Sequence, residues 1–167
     1  MDIEVSDFSL QNVAAGPDPF SLSAVDADFA VLFFQRDHYC TNCRSQVQQV
    51  ADRYEDFRER DAEVVSIVPE PAAKVREWQA SDDLPYPLLS DPDAEVAAAY
   101  DQPVRFGILG RFSDFLGRMP EVVIVDRRGE EPTVPYVHQG RSTFDRPDVE
   151  EILTELDQLR EQTSATA

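Results

Sequence analysis

The chain has 167 residues, 33 acids against 15 bases, and a formal net charge of −18. That length suits one domain with a full core. The charge disfavours nucleic-acid binding, since phosphate neutralisation needs a basic patch and none is visible. No stretch reaches the roughly 18 apolar residues of a transmembrane helix, and the opening Met1-Asp-Ile-Glu-Val lacks the plan of a signal peptide. A cytoplasmic protein is the expectation, and there a pair of cysteines is more often catalytic than structural.

Residues 5–10 alternate polar and apolar, and 20–25 resume the alternation after the Gly16-Pro-Asp-Pro19 turn, which predicts an N-terminal hairpin. Ala30 to Phe34 is a short unbroken apolar run, suited to a strand buried on both faces. Cys40 and Cys43, the only cysteines, follow it as C-x-x-C. From Cys43 the positions Val47, Val50, Ala51, Tyr54 and Phe57 share one helical face, with Gln and Arg on the other, as far as Asp61. A second core strand over 62–68 completes a βαβ unit with parallel strands. A helix over 71–80, a short extended piece over 84–90 and a helix over 94–100 come next. Residues 101–118 read as a loop or broken helix near the site. A third core strand, 121–125, turns at Asp126–Gly129 into an edge strand over 132–139. His138, near the end of that strand, reads as a surface or hydrogen-bonded histidine. Asp148-x-x-Glu151 resembles a capping box for the last helix, and the expected domain is 1–162 with a disordered tail over 163–167.

A C-x-x-C between a buried strand and a helix is a thioredoxin-like redox arrangement. Thiol–disulfide exchange needs a thiolate, and the partial positive charge at a helix N-terminus favours one at the first cysteine. Cys40 is therefore assigned as nucleophile and Cys43 as resolving thiol. Arg36 and Arg44 favour the thiolate, and Asp37 opposes it. Half of a zinc site and two inert buried cysteines are the alternatives. Zinc would need His38 or His138 as further ligands, so no metal and no cofactor is assigned.

The pattern resembles the thioredoxin fold, and more closely the alkyl hydroperoxide reductase/thiol-specific antioxidant group of peroxiredoxin-like proteins. Asp7-Phe8-x-Leu10, Leu32-Phe33-Phe34, Leu89-Ser-Asp-Pro-Asp and Val123-Ile-Val-Asp126-x-x-Gly129 stand in the family's order. The resemblance implies an α/β fold, a central mixed β-sheet flanked by helices with the hairpin as an N-terminal extension. It also implies a thiol-dependent oxidoreductase that reduces peroxides or protein disulfides and is recycled by a thioredoxin-type thiol reductant. Homodimer formation stays open, as does a non-catalytic redox-sensing or protein-binding module on the same fold.

The departures lie at the site. Asp37 stands where peroxiredoxins carry Thr or Ser, Phe33 where they carry Pro, and Pro120 where they tend to have an arginine. Pro120 instead resembles the cis-proline of thioredoxins, which faces the C-x-x-C and pairs with substrate backbone; a plain trans proline opening the strand is the alternative. Arg36 matches a Phe-x-x-Arg…Cys-x-x-Cys subgroup, and Cys40-Thr41 looks like the start of a peroxiredoxin signature. The candidate substrate contacts are Arg36, Tyr39, Thr41 and Pro120. Finally, an acidic chain whose one lysine is Lys74 resembles proteins of salt-loving archaea.

Overall fold

The computed structural model describes residues 3–37, 40–103, 118–142 and 144–166, with 163–166 described by backbone alone. Its strands are β1 (Ser9–Asn12), β2 (Phe20–Ser21), β3 (Phe29–Phe34), β4 (Ala62–Val68), β5 (Leu88–Ser90), β6 (Glu121–Asp126) and β7 (Thr133–Gln139). The helices are α1 (Thr41–Asp52), α2 (Tyr54–Arg58), α3 (Ala72–Asp82), α4 (Glu95–Ala99) and α5 (Val149–Thr166).

The strands form one mixed sheet in the order β2-β1-β5-β4-β3-β6-β7. β3 lies parallel to β4 and antiparallel to β6, so the βαβ unit expected from the sequence forms around the central strand. Every residue of β3 is buried, because each of its faces meets a separate layer of apolar side chains. Phe29, Val31 and Phe33 face α1 and α5, together with Val122 and Ile124. Ala30, Leu32 and Phe34 face Phe8, Val96 and Tyr100. That double burial explains the unbroken apolar run.

Three features differ from the sequence reading. β1 begins at Ser9 because residues before it are held by side chains: Tyr100 Oη donates to the Ser6 carbonyl at 2.7 Å, and Asp7 Oδ1 accepts from Phe8 N and Ser23 N. The N-terminal hairpin joins the main sheet, since β1 pairs with β5 as well as with β2. The helix expected to run to Asp61 breaks at Arg53 (φ −114°, ψ 17°), whose guanidinium is tied to Asp56 and to Glu150 of α5. The last helix runs from Val149 to Thr166. Asp148 Oδ1 accepts from Glu151 N at 2.9 Å, the backbone half of the expected capping box. Of the 101–118 segment, only 101–103 and 118 lie within the described residues. Among the described residues, no helix is long and apolar enough to cross a membrane.

Candidate functional site

The site lies where β3 ends and α1 begins. Cys40 is the N-cap of α1, and its Sγ accepts from the Cys43 N–H at 3.2 Å. One helical turn brings the two Cα atoms to 5.2 Å, and the cysteines are joined as a disulfide. Both are buried, at 1% and 0% exposure, so any reagent reaching the sulfurs must be small or must displace part of their cover.

Arg146 provides that cover. It lies just before the capping Asp148 of α5, and its Nη2 stands 3.0 Å from Cys43 Sγ and 3.6 Å from Cys40 Sγ. Its Nη1 donates to Gln46 Oε1 at 2.8 Å and to Gln35 Oε1 at 3.3 Å. Burial lowers the guanidinium to about 10, and repulsion from Arg36 adds to the effect. It stays cationic at neutral pH, and its N–H groups point at the atoms that become a thiolate on reduction. A hydrogen bond to an ionised acceptor is roughly twice as strong as a neutral one, so this contact favours the reduced, ionised site.

Neither Arg146 nor the two glutamines were among the sequence candidates. The apolar stripe alone puts the glutamines of α1 on the opposite face. Gln46 follows Cys43 by three residues, however, and is buried beside Val47. A lone amide on an otherwise apolar stripe was the available signal. For Arg146 the only local signal is its place ahead of a helix cap; its partners lie 103 and 106 positions away.

The candidates named from sequence divide into several groups. Cys40 and Cys43 come together. Arg36 joins them through its backbone N–H, which donates to Cys43 Sγ at 3.4 Å, while its side-chain Nε pairs with Asp37 at 3.0 Å. The Arg44 guanidinium lies 4.8 Å over the Trp78 ring and 3.8 Å from Asp82, which engages it with α3. Thr41 opens α1 and is exposed. Tyr39 and His38 lie outside the described residues.

Pro120 corrects the cis-proline reading. The cis peptide among the described residues is Asp18–Pro19, so Met119–Pro120 is trans. The backbone groups that would pair with a substrate are also committed internally. Met119 N donates to Pro103 O at 2.8 Å, Met119 O accepts from Gln102 Nε2 at 2.8 Å, and Pro120 O accepts from Gly140 N at 2.8 Å. Pro120 thus opens β6 and braces the strand-to-helix loop instead of offering a free edge.

Glu121 follows it on the opposite face of the sheet, aligned with Phe34. Burial pushes its carboxyl up to about 7; the Gln139 amide at 3.0 Å opposes this and Asp101 adds to it. Its Oε2 is buried with no partner among the described residues.

A hollow of about 190 Å³ opens beside Arg146, between Asn42, Ser45, Gln46 and Gln49 of α1 and the exposed Phe144. A larger one, about 300 Å³, lies among Val5, Leu22, Arg127 and Pro132. Arg127 follows the end of β6 that pairs with Phe29, so this hollow sits at the end of the sheet opposite the cysteines.

A helix-capping C-x-x-C disulfide after the central strand of a mixed sheet defines a thioredoxin-like protein. Solved structures carry the same fold. Peroxidoxin BcpB of Mycobacterium tuberculosis aligns with a TM-score of 0.75 at 24% identity, over 93% of this chain and 95% of that one. The AhpC of Enterococcus faecalis aligns with a TM-score of 0.81 at 15% identity, over 99% of this chain and 95% of that one.

Residues 2–130 match the model of the AhpC/TSA family, and the chain belongs to that family. Among curated relatives, a putative chloroplastic peroxiredoxin Q of Oryza sativa subsp. indica is 27% identical over 123 residues, 72% of this chain and 51% of that protein. Peroxiredoxin Bcp of Bacillus subtilis (strain 168) is 28% identical over 80 residues, 48% of this chain and 51% of that protein. The chain spans about half the length of the curated relatives it matches. Arg146 falls beyond the family match, which ends at residue 130.

Proposed function

We propose that this chain is a thiol-dependent peroxidase that works through a Cys40–Cys43 dithiol/disulfide cycle. The observation that carries the reading is the Arg146 guanidinium set against both sulfurs at the N-terminus of α1. The family membership supports it. Arg146 takes the role that the sequence left vacant at Pro120, reached from a different part of the chain.

In the cycle, the Cys40 thiolate attacks one oxygen of the peroxide. The O–O bond breaks, Cys40 becomes a sulfenic acid, and the other oxygen takes a proton and leaves as water or an alcohol. Cys43 then attacks the Cys40 sulfur, expelling the hydroxyl as water and closing the disulfide. A dithiol reductant of thioredoxin type returns two electrons and two protons through a mixed disulfide. Arg146 holds positive charge and N–H donors where negative charge sits on sulfur and oxygen in the attack, a contribution that can reach about a hundredfold or more for one donor. Tight burial of Cys40 suits a small oxidant, and a protein reductant must displace part of that cover.

The domain of 1–162 is proposed to act in the cytoplasm, and its excess of acids suits a salt-rich one. The test is to mix the reduced protein with one equivalent of hydrogen peroxide in high salt and to follow intact mass and free thiols. The account expects the loss of two thiols per peroxide in the parent. Cys43→Ser should stop at the Cys40 sulfenic acid, and Cys40→Ser should be inert. A parent no faster than a free thiol would move the redox-sensing or protein-binding reading to the front.

A further inference from the structure

The loop between β7 and α5 carries Arg146, and the residue before it, Asp145, gathers the loop's internal bonds. Asp145 Oδ2 accepts from Arg141 N at 2.8 Å, and Asp145 N donates to Ser142 O at 3.1 Å. These bonds stay within the loop. Gly140 adds a steric seat: a Cβ there would meet the Asp145 carbonyl at 2.8 Å and the Pro120 ring at 2.7 Å. Among the described residues, the one side-chain bond from Asp145 to a strand is made by His138, whose Nε2 lies 3.0 Å from Asp145 Oδ1. His138 pairs across the ladder with Val122, whose side chain is in the layer that holds both cysteines. The histidine is therefore on the cysteine face of the sheet, one residue removed in its contact from the guanidinium that touches the sulfurs.

We propose that His138 is a positioning residue: through Asp145 it fixes the loop that sets Arg146 on the Cys40–Cys43 sulfurs. His138 does not touch the reacting atoms. Its effect passes through the placement of one cation, and it rests on the reading of the pair as a redox couple. The bond between His138 and Asp145 is half exposed, at 31% and 35% of their side chains. Half-exposed pairs are individually weak, so the expected effect is about two- to fivefold.

The measurement is the equilibrium constant between the Cys40–Cys43 disulfide and its dithiol in a dithiothreitol redox buffer, read by alkylation and mass. It does not depend on peroxide turnover. Arg146 favours the ionised, reduced pair, so Arg146→Gln should shift the couple toward the disulfide. His138→Ala should shift it the same way by about two- to fivefold, and Asp145→Ala should do likewise. His138→Gln, which keeps an N–H donor toward Asp145, should recover at least half of that shift. In an Arg146→Gln background, His138→Ala should change nothing further, because energetic effects are non-additive when one residue acts through another.

An equal His138→Ala shift in both backgrounds overturns the proposal, as does no shift in either. Because His138 is half exposed, its truncation leaves the core filled, and the Asp145→Ala arm tests the same link from the other partner. A parent that reacts with hydrogen peroxide no faster than a free thiol would overturn the peroxidase reading alone.

Discussion

The end of β3 is flanked by two ionisable side chains, the half-buried Arg146 and the buried Glu121, one on each face of the sheet, and the two are handled in opposite ways. On the α1 face, Arg146 is enclosed by acceptors: Gln35 and Gln46 take one end of its guanidinium and the sulfurs take the other. On the far face, Glu121 has one oxygen held by Gln139 and the other buried with no partner among the described residues. The first environment keeps a charge and aims it; the second drives its group toward neutrality, with a pKa pushed to about 7. The difference separates machinery from a leftover cost. A half-buried charge held by several acceptors can act on a neighbour, whereas a buried carboxyl with one oxygen bonded mainly weakens the fold when it ionises.

The strongest way to break the comparison is to remove what Arg146 aims at. Cys40→Ser should abolish peroxide consumption, while Glu121→Gln should leave the rate within about twofold, since Glu121 is aligned with Phe34 on the face of the sheet away from the sulfurs and touches none of the reacting atoms. Next comes the cation itself. Arg146→Gln should slow the reaction of reduced protein with hydrogen peroxide by about a hundred- to a thousandfold. Arg146→Lys should recover only part of it, because an ammonium cannot span both glutamines and the sulfurs as a planar fork does.

Gly140→Ala tests the seat beneath the loop. The added methyl would meet backbone at Asp145, so the variant should lose about 3 kcal/mol of unfolding free energy, the upper part of the overpacking range. Denaturant unfolding measures it directly.

The smallest effect belongs to Glu121. Its folded carboxyl holds a proton up to about pH 7, against an ordinary value of 4.5. Folding therefore binds a proton between those values, and stability falls as pH rises through that window. Glu121→Gln should match the parent near pH 4.5 and exceed it at pH 8 by on the order of 1–3 kcal/mol. Thermal unfolding across that pH range would show the parent's slope flattened in the variant; parallel slopes would contradict the assignment.

The elements around the site were legible because their signals are local. An apolar run with no polar break marks a strand buried twice, and β3 is that strand. The C-x-x-C at its exit placed Cys40 at a helix cap, and the stripe from Cys43 to Val50 placed α1 on the sheet. What escaped depends on partners far along the chain. Arg146 looks like any arginine near a helix start until α5 docks beside α1. Gln46 reads as a surface amide unless its helical phase is taken from Cys43. Pro120 could be placed beside the site, but cis or trans is decided by what its neighbours bond. Here Gln102, Pro103 and Gly140 consume the backbone groups that a substrate would use.

The most direct measurement is stopped-flow mixing of fully reduced protein with hydrogen peroxide in high salt, followed by thiol loss and by the fluorescence of Trp78, which packs in the same core layer as the cysteines. Parent and Arg146→Gln would be run side by side. Oxidation of the parent far faster than a free thiol, falling by about a hundredfold or more without Arg146, is the result the account predicts. Equal rates for the two proteins would contradict it, since the guanidinium would then be cover for the disulfide and no part of its chemistry.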